Sequence, residues 1–260
     1  MTRERCSILK TYTKPILLKL TFYLSILLAW YAVAEAKILP EYVLPSPLDV
    51  AKEYASSSLR LLTALATSMQ RLFLGFILSI FAGFAFGYAM ANSKALYDAV
   101  GSLVIALASL PSIIWVPIGM IWFGYSEAMV VFVIVASTVF AFMLSTHTSI
   151  KNVPPIYIKA ARNMGAKGIN MLVYVIVPAA TPNLLIGIRN AWSFSWRGLM
   201  NAEVVSGYLG LGFMLESARE VFNMTHVIAV VLIVMAIGLL VDAILFSRVE
   251  RYVEQRWGLR

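Results

Sequence analysis

Long stretches of this chain carry no charged side chain. Five runs of at least 21 residues without Asp, Glu, Lys or Arg begin after Arg71, Asp98, Glu127, Lys167 and Glu220. Each exceeds the roughly 18 residues that indicate a transmembrane helix. A sixth run, 20–34, has 15 uncharged residues, and long charged side chains at its ends can reach toward the headgroups. The pattern predicts an all-α membrane protein with six spans, at 16–36, 69–91, 98–123, 127–148, 170–192 and 224–246.

The basic residues ahead of the first run leave two interpretations. They are typical of a signal peptide, but no small-residue cleavage site follows the run, only Lys37-Ile38-Leu39-Pro40. A signal peptide needs such a site. We expect a first helix that is retained.

Composition agrees with a membrane protein. Hydrophobic residues make up 60% of the 260 positions and charged residues 13%, with a mean hydropathy of +0.82. Ordinary soluble domains have about 25% charged residues. This chain has about half of that fraction, too few charged side chains to cover the surface of a soluble protein of 260 residues. The single cysteine, Cys6, cannot form a disulfide within the chain. We expect one transmembrane domain over 1–260.

Basic residues predict the orientation, because cytoplasmic loops are enriched in Lys and Arg. With both termini inside, the cytoplasmic side receives Arg3, Arg5, Lys10, Lys14, Lys19, Lys94, Lys151, Lys159, Arg162, Lys167, Arg248, Arg251, Arg256 and Arg260. The outer side keeps Lys37, Lys52, Arg60, Arg71, Arg189, Arg197 and Arg219. We therefore expect a multi-pass plasma-membrane protein with cytoplasmic termini. The net charge of +8 needs no nucleic acid partner, since anionic lipid attracts these cations.

Two connections carry helical signals of their own. The first, on the outer side, contains Leu44-Pro45-Ser46-Pro47 and a helical stretch at 48–65 with Asp49 near its start. The second, cytoplasmic, predicts a short helix at 154–166 between Pro154-Pro155 and Gly165. On that helix Ile156, Ala160 and Met164 share one face. Either another protein covers this face or the helix lies on the membrane surface.

The third connection, about 190–223, is too polar for a span and too apolar for a soluble loop. Arg197 and Glu203 stand there among apolar neighbours. Ionisable residues near membrane depth usually pair or face a cavity, so these two are candidates for a translocation pathway or gate. Arg197 could equally anchor the outer end of the fifth span. The glycines of this segment would allow either a break in the helix or a tight turn.

Other residue patterns favour structural roles. Gly83 and Gly87 form a Gly-x-x-x-Gly pair that favours close helix packing over a pathway lining. Pro111 and Pro117 are expected to kink the third span, because each lacks an N–H donor. His147 and His226 have no second ligand at metal spacing, so we expect no metal site.

Several of these segments together resemble the permease subunits of ATP-binding-cassette importers. Lys159-Ala160-Ala161, Gly165 and Val175-Ile176-Val177-Pro178 keep the spacing of that family's cytoplasmic signature, with Lys159 in place of its acidic residue. The nitrate, sulfonate and taurine branch is indicated by further motifs in order along 40–245. They are Leu44-Pro45-Ser46-Pro47, Leu110-Pro111-Ser112-Ile113-Ile114-Trp115-Val116-Pro117, Trp122-Phe123-Gly124 with Glu127, Pro178-Ala179-Ala180 with Pro182, Gly187 with Arg189, Ala202-Glu203, and Gly210-Leu211-Gly212.

The resemblance implies a type I importer architecture, similar to the methionine importer permease. It implies a second permease copy, most simply a homodimer, with two cytoplasmic ATPase subunits and an extracytoplasmic binding protein. ATP and Mg²⁺ would be bound by the ATPases, leaving this chain without a cofactor. The short helix would couple to the ATPase through Lys159, Ala160, Ala161, Arg162, Gly165 and Ala166, with Ala160, Ala161 and Gly165 docking most closely.

Rival functions need features that the sequence supplies poorly. An intramembrane serine protease needs a nucleophile beside a buried His, whereas the two histidines fall at opposite membrane faces of the predicted topology. A secondary transporter or channel remains the alternative, although no inverted repeat is detectable. The sequence does not identify the solute, for which the resemblance implies an anion such as nitrate, a sulfonate, taurine or bicarbonate.

Overall fold

The computed structural model describes the backbone of residues 2–256, and within it the side chains of all residues except 2–17, 20 and 254. The described chain is helical, as expected. Its helices are α1 (Thr2–Glu35), α2 (Pro47–Ser56), α3 (Ser58–Asn92), α4 (Lys94–Ala108), α5 (Trp115–Phe123), α6 (Glu127–Lys151), α7 (Pro155–Asn163), α8 (Gly168–Met171), α9 (Val177–Ser206), α10 (Leu211–Glu220), α11 (Met224–Leu240) and α12 (Ser247–Arg256). The charges predicted inside at Arg3, Arg5, Lys10, Lys14 and Arg260 lie outside the described side chains, as does Cys6.

Four continuous helices are long and apolar enough to cross a membrane. They are Ser58–Asn92, Glu127–Lys151, Gly168–Ser206 and Met224–Val253. A fifth candidate consists of Lys94–Ala108 and Ser112–Phe123, bent by 97°. Within the described residues the first predicted span contributes a shorter apolar helix, Thr21–Glu35. The structure thus provides four or five candidate spans, and the count of six and the orientation of the termini stay predictions.

The third predicted span, 98–123, is broken rather than kinked. Helix α4 ends at Ala108, and Pro111 precedes a 3₁₀ turn, Ser112–Ile114. Proline lacks an N–H and disfavours helical backbone at the residue before it, which ends α4 at this point. Pro117, by contrast, lies in the first turn of α5, where no N–H partner is required.

The fifth predicted span, 170–192, is also shorter than the observed helix, which runs from Gly168 to Ser206. Most of the third connection is therefore helix. Gly198 does not break it: a Cβ there would lie 2.8 Å from Ser137 Oγ on α6, so the glycine permits close packing. The helix ends at Gly207, whose φ of +70° is the left-handed conformation that glycine adopts readily. The helix widens to a π turn at Leu172–Ile176, just ahead of Pro178.

The core lies where α3 and α9 flank α6. Gly83 on α3 approaches α6 so closely that a Cβ would lie 2.9 Å from Phe142 Cδ1, which confirms the predicted packing role. The helix predicted after the first span starts as expected, with Ser46 capping α2 through the Asp49 N–H. It ends at Ser56, and the rest of the predicted 48–65 stretch belongs to α3.

Candidate functional site: two ends of the helix core

The sequence singled out two groups of residues, and the structure places them at opposite ends of α3. Helix α7 packs in an apolar cluster that includes Ala91, near the end of α3. Glu203 hydrogen-bonds to Ser68 and Arg71, which lie in the first half of α3. Twenty residues of helix separate Arg71 from Ala91, or about 30 Å. We call these regions the α7 end and the Glu203 end.

Local sequence signals explain α7. Pro155 occupies its first turn, where a missing N–H costs nothing. The helix stops at Gly165, with φ of +88°. There the Ala166 N–H donates to Ala161 O at 2.9 Å and the Gly165 N–H to Arg162 O at 3.0 Å, which is a Schellman cap. The predicted start and stop are confirmed.

The two sides of α7 differ. Ala161 is only 8% exposed and packs with Ala91, Ile150, Met171 and Ile176, at the ends of α3 and α6 and the start of the helix that leads into α9. On the other side Ile156 is 69% and Met164 88% exposed. Among the residues predicted to meet an ATPase, Lys159, Ala160, Arg162 and Gly165 are exposed, Ala166 is half-buried and Ala161 faces the chain's own core. Ala160 thus lies on the exposed side of α7, whereas Ala161 packs inside the chain, so the close docking predicted for Ala161 is not possible without moving it.

The exposed side of α7 is also basic. Lys159 and Arg162 on the helix, and Lys151 and Lys167 beside it, are exposed. No Asp or Glu occurs in the sequence between Glu127 and Glu203. Helix α7 and the segments that flank it in sequence therefore present apolar and basic side chains but no acidic ones.

At the other end Glu203 has no exposed surface, and Arg71 is 4% exposed. The Arg71 Nη1 donates to Glu203 Oε1 at 2.9 Å, and the rest of its guanidinium contacts Glu127 at the start of α6. The carboxylate also accepts from Ser68 Oγ at 2.8 Å and from the Gly212 N–H at 3.0 Å. This network ties α3, α6, α9 and α10 together.

The Gly210-Leu211-Gly212 motif belongs to the same network. A Cβ on Gly210 would overlap the Glu203 carboxylate, and one on Gly212 would lie 2.7 Å from Glu203 Cβ. The Leu211 N–H donates to Ser68 Oγ at 2.9 Å. The start of α10 thus directs its backbone N–H groups at a buried carboxylate and hydroxyl, a common arrangement at a helix N-terminus.

Arg197 and Glu203, the two candidate gate residues, form no ion pair with each other, and Glu203 pairs with Arg71 instead. Arg197 is exposed on α9, and its guanidinium lies 5.3 Å from the Phe194 ring centroid. Sequence alone could not identify Arg71 as the partner, since 132 residues separate it from Glu203. The usable signal was that Arg71 borders a long uncharged run and that Glu203 stands among apolar neighbours.

A second ion-pair cluster was missed. Arg189, counted above among outer charges, lies within the long helix, with its Nε 2.8 Å from Asp242 Oδ1 and its Nη1 3.2 Å from Glu250 Oε2. Asp242 interrupts the last long helix, in a π turn at Val241–Phe246. The available signal was that Arg189 and Asp242 each lie within a predicted span, where a charged residue usually has a partner.

The histidines hold no metal cluster within the described residues. His226 Nδ1 lies 2.7 Å from Glu53 Oε1, which joins α11 to α2. His147 stacks on Tyr97, with ring centroids 4.4 Å apart. Both side chains therefore have packing roles at the ends of helices.

Comparison with known proteins identifies relatives over most of the chain. The family of binding-protein-dependent transport system inner membrane components matches residues 75–256. A putative ABC transporter permease of Methanocaldococcus jannaschii is 31% identical, over 73% of this chain and 70% of that protein. The taurine transport system permease of Escherichia coli is 27% identical over 84% and 82%. The nitrate import permease of Leptolyngbya laminosa is 27% identical over 73% and 68%.

Solved structures share the fold. An amino acid ABC transporter crystallised with histidines aligns with a TM-score of 0.63 at 18% identity, covering 77% of this chain and 97% of that chain. The inward-facing MetNI methionine ABC transporter aligns with a TM-score of 0.63 at 18% identity, covering 76% and 98%. The chain therefore shares the fold of these two ABC transporter structures.

Proposed function

The chain belongs to the family of binding-protein-dependent transport system inner membrane components, and we propose that two copies of it form the membrane pathway of an ATP-driven importer. A binding protein on the outer side delivers the solute, and two cytoplasmic ATPase subunits drive the cycle. The observation that carries this proposal is α7, a capped helix with an exposed apolar and basic side and an opposite side packed into the helix core.

ATP binding belongs to the partners in this proposal. The sequence contains no Gly-x-x-x-x-Gly-Lys-Ser/Thr motif, whose backbone N–H groups would hold the phosphates. ATP and Mg²⁺ are accordingly assigned to the ATPases. This chain is then a permease subunit without catalytic residues.

The packing of α7 against three long helices explains how an ATPase could move the membrane spans. Ala161 packs against the ends of two long helices and the start of a third, so a force on the exposed side of α7 moves these helices together. Ile156, Ala160 and Met164 would contact the ATPase directly, with Lys159 and Arg162 beside them. Gly165 fixes the end of the helix and Ala166 closes its cap. The transporter would switch between inward-open and outward-open states, biased by ATP on one side and by loaded binding protein on the other.

The Glu203 end would act as the outer anchor of this motion. Since Glu203 and Arg71 are buried and join four helices, they would hold the outer ends of α3 and α9 at fixed spacing during switching. Glu203 would thus contribute to the gate by positioning helices, whereas the exposed Arg197 is free to meet the solute. In this orientation α7 and both termini are cytoplasmic, in a plasma membrane.

The solute class is inferred from the relatives. The nitrate and taurine permeases named above transport compounds that carry an oxoanion group, and two aliphatic sulfonate permeases, of Escherichia coli and Bacillus subtilis, are 29% and 28% identical to this chain. We accordingly assign a small oxoanion, such as nitrate, a sulfonate, taurine or bicarbonate, as the solute.

Reconstitution tests the proposal. The chain is placed in proteoliposomes with a candidate ABC ATPase and a candidate binding protein from the same genome, and ATP hydrolysis is measured with the binding protein loaded or empty. We expect loaded binding protein to stimulate hydrolysis, and uptake to require ATP. Uptake without ATP, driven by an ion gradient, would instead identify a secondary transporter or channel.

A further inference from the structure

A half-open cavity of about 240 Å³ lies between α9 and the last long helix. Two indoles, two guanidinium groups, a hydroxyl and a carboxylate line most of it. The lining residues are Arg189, Trp192, Ser193, Trp196, Arg197, Gly238, Asp242 and Phe246. A water molecule takes up about 30 Å³ of liquid volume, so the cavity has room for a small solute.

The exposed charged side chains beside this cavity indicate whether lipid, water or protein covers it. The side chains of Arg189 and Asp242 are 41% and 47% exposed, although both belong to helices long and apolar enough to cross a membrane. A charged group that faces hydrocarbon is costly, and charges in spans usually face a water-filled cavity or protein. The side of α9 and α11 that bears the cavity is therefore unlike a lipid-facing surface.

The two arginines of the cavity are not equivalent. Arg189 makes a bidentate contact to Asp242 and a further contact to Glu250, so the two carboxylates more than compensate its positive charge. Arg197 makes no ion pair with any residue that the structure describes, and the Phe194 ring lies beside its guanidinium. The positive charge of Arg197 thus remains available on the cavity wall.

We propose that this cavity is an oxoanion-binding site on the translocation pathway, with Arg197 as the anion contact. A guanidinium presents parallel N–H donors that match two oxygens of an oxoanion. Trp192 and Trp196, stacked with ring centroids 6.5 Å apart, form an apolar wall for the rest of the solute. Because Arg189 is already paired with carboxylates, Arg197 supplies the only unpaired positive charge among the lining residues. A single positive charge binds the anion weakly enough for its release. This inference rests on the proposed importer function.

Thiol labelling in the assembled transporter tests the site. Cys6→Ser removes the native thiol, and Ser193→Cys places a new one on the cavity wall, one helical turn from Arg197. The probes are two methanethiosulfonate reagents of similar size, one with a sulfonate and one with a trimethylammonium group. Each rate is divided by the rate of the same reagent with a free thiol in solution. We expect the resulting ratio of anionic to cationic reagent to exceed one, and Arg197→Gln to reduce it at least about fivefold. Arg197→Lys keeps the charge and should keep most of the preference.

Phe81→Cys, at an exposed apolar position of α3, serves as the control outside the cavity and should show no preference for the anionic reagent after the same normalisation. A ratio of one or below at Ser193→Cys with Arg197 intact, after the same normalisation, would overturn the anion site. No labelling would also overturn it, since the cavity would then be covered by lipid or by the second copy. Co-purification of the ATPase in the same preparations reports separately on the importer function, so the two failures are distinguishable.

Discussion

Arg71 and Glu203 are joined by a hydrogen bond of 2.9 Å between Nη1 and Oε1, with both side chains almost fully enclosed by protein. A buried charge that loses its partner is strongly destabilising, whereas removal of both charges is often tolerated. The pair therefore fixes how α3 meets the end of α9, and its two members depend on each other.

We expect Arg71→Met to lower the free energy of unfolding by about 3–5 kcal/mol, because it leaves the Glu203 carboxylate buried without a counter-ion. Adding Glu203→Gln should restore most of the loss. Thermal unfolding in detergent measures both. The matched control is Arg219→Met, at an exposed pair with Glu216, which should leave the melting temperature unchanged. A double variant no more stable than Arg71→Met would contradict the interdependence.

The glycine motif is expected to be sterically constrained. Gly210 has φ of −179°, a backbone that any residue adopts, so only the contact with the Glu203 carboxylate disfavours a side chain there. We expect Gly210→Ala to cost about 1–3 kcal/mol, as overpacking does. Gly238→Ala, in a helix with open space around the added methyl, should be neutral or stabilise by up to about 1 kcal/mol. Equal melting temperatures for the two variants would be evidence against this packing.

Acid pH should weaken the contact between α2 and α11. The Ser57 hydroxyl, and then His226, hydrogen-bond to Glu53 and lower the pKa of its carboxyl below the ordinary value. The folded state therefore binds the Glu53 proton less readily than the unfolded state. This stabilisation is present above the ordinary Glu pKa of about 4.3 and is lost as pH falls through the lowered pKa.

Glu53→Gln measures this effect. The melting temperature of the native chain should exceed that of the variant at neutral pH, and the difference should shrink as the pH falls below about 4.3. A difference that is constant across this range would show that the carboxylate charge contributes nothing.

The basic surface of α7 predicts an acidic receiving surface on the ATPase. Lys159→Glu introduces the first carboxylate between Glu127 and Glu203, and we expect it to release the ATPase, whereas Lys159→Arg should retain it. Higher salt should weaken the native complex as well, because the screening length falls from about 10 Å at 0.1 M to about 3 Å at 1 M. Retention of the ATPase by Lys159→Glu at low salt would exclude a role for this charge.

Local signals predicted the short helix and its ends well. The prolines and Gly165 that delimit α7 act within a few residues of chain, and the Gly83 and Gly87 packing follows from residue size. The long uncharged runs placed α3, α6, α9 and α11. These features depend on backbone geometry and hydrophobicity, which can be read from one sequence.

Long-range partners could not be predicted in this way. Glu203 lies close to Arg197 in sequence, yet its partner is Arg71, and Arg189 meets Asp242 across 53 residues. Which face of α7 is buried also depends on tertiary packing, so Ala160 and Ala161 could not be distinguished from spacing alone. The bend of 97° at Pro111 exceeds the predicted kink because two further residues there, Ser109 and Leu110, are not helical either.

Docking of an ATPase on the exposed side of α7 is tested most directly by a pair of matched substitutions. Ala160→Glu places a carboxylate on that side, and Ala55→Glu places the same group on the exposed surface of α2, toward the Glu203 end. Each variant is co-expressed with a candidate ABC ATPase from the same genome, purified in detergent, and compared with the native chain for bound ATPase and for melting temperature. We predict that Ala160→Glu loses the ATPase while its melting temperature is unchanged, and that Ala55→Glu retains two ATPase copies for each permease pair. Equal ATPase retention in both variants would contradict coupling through α7.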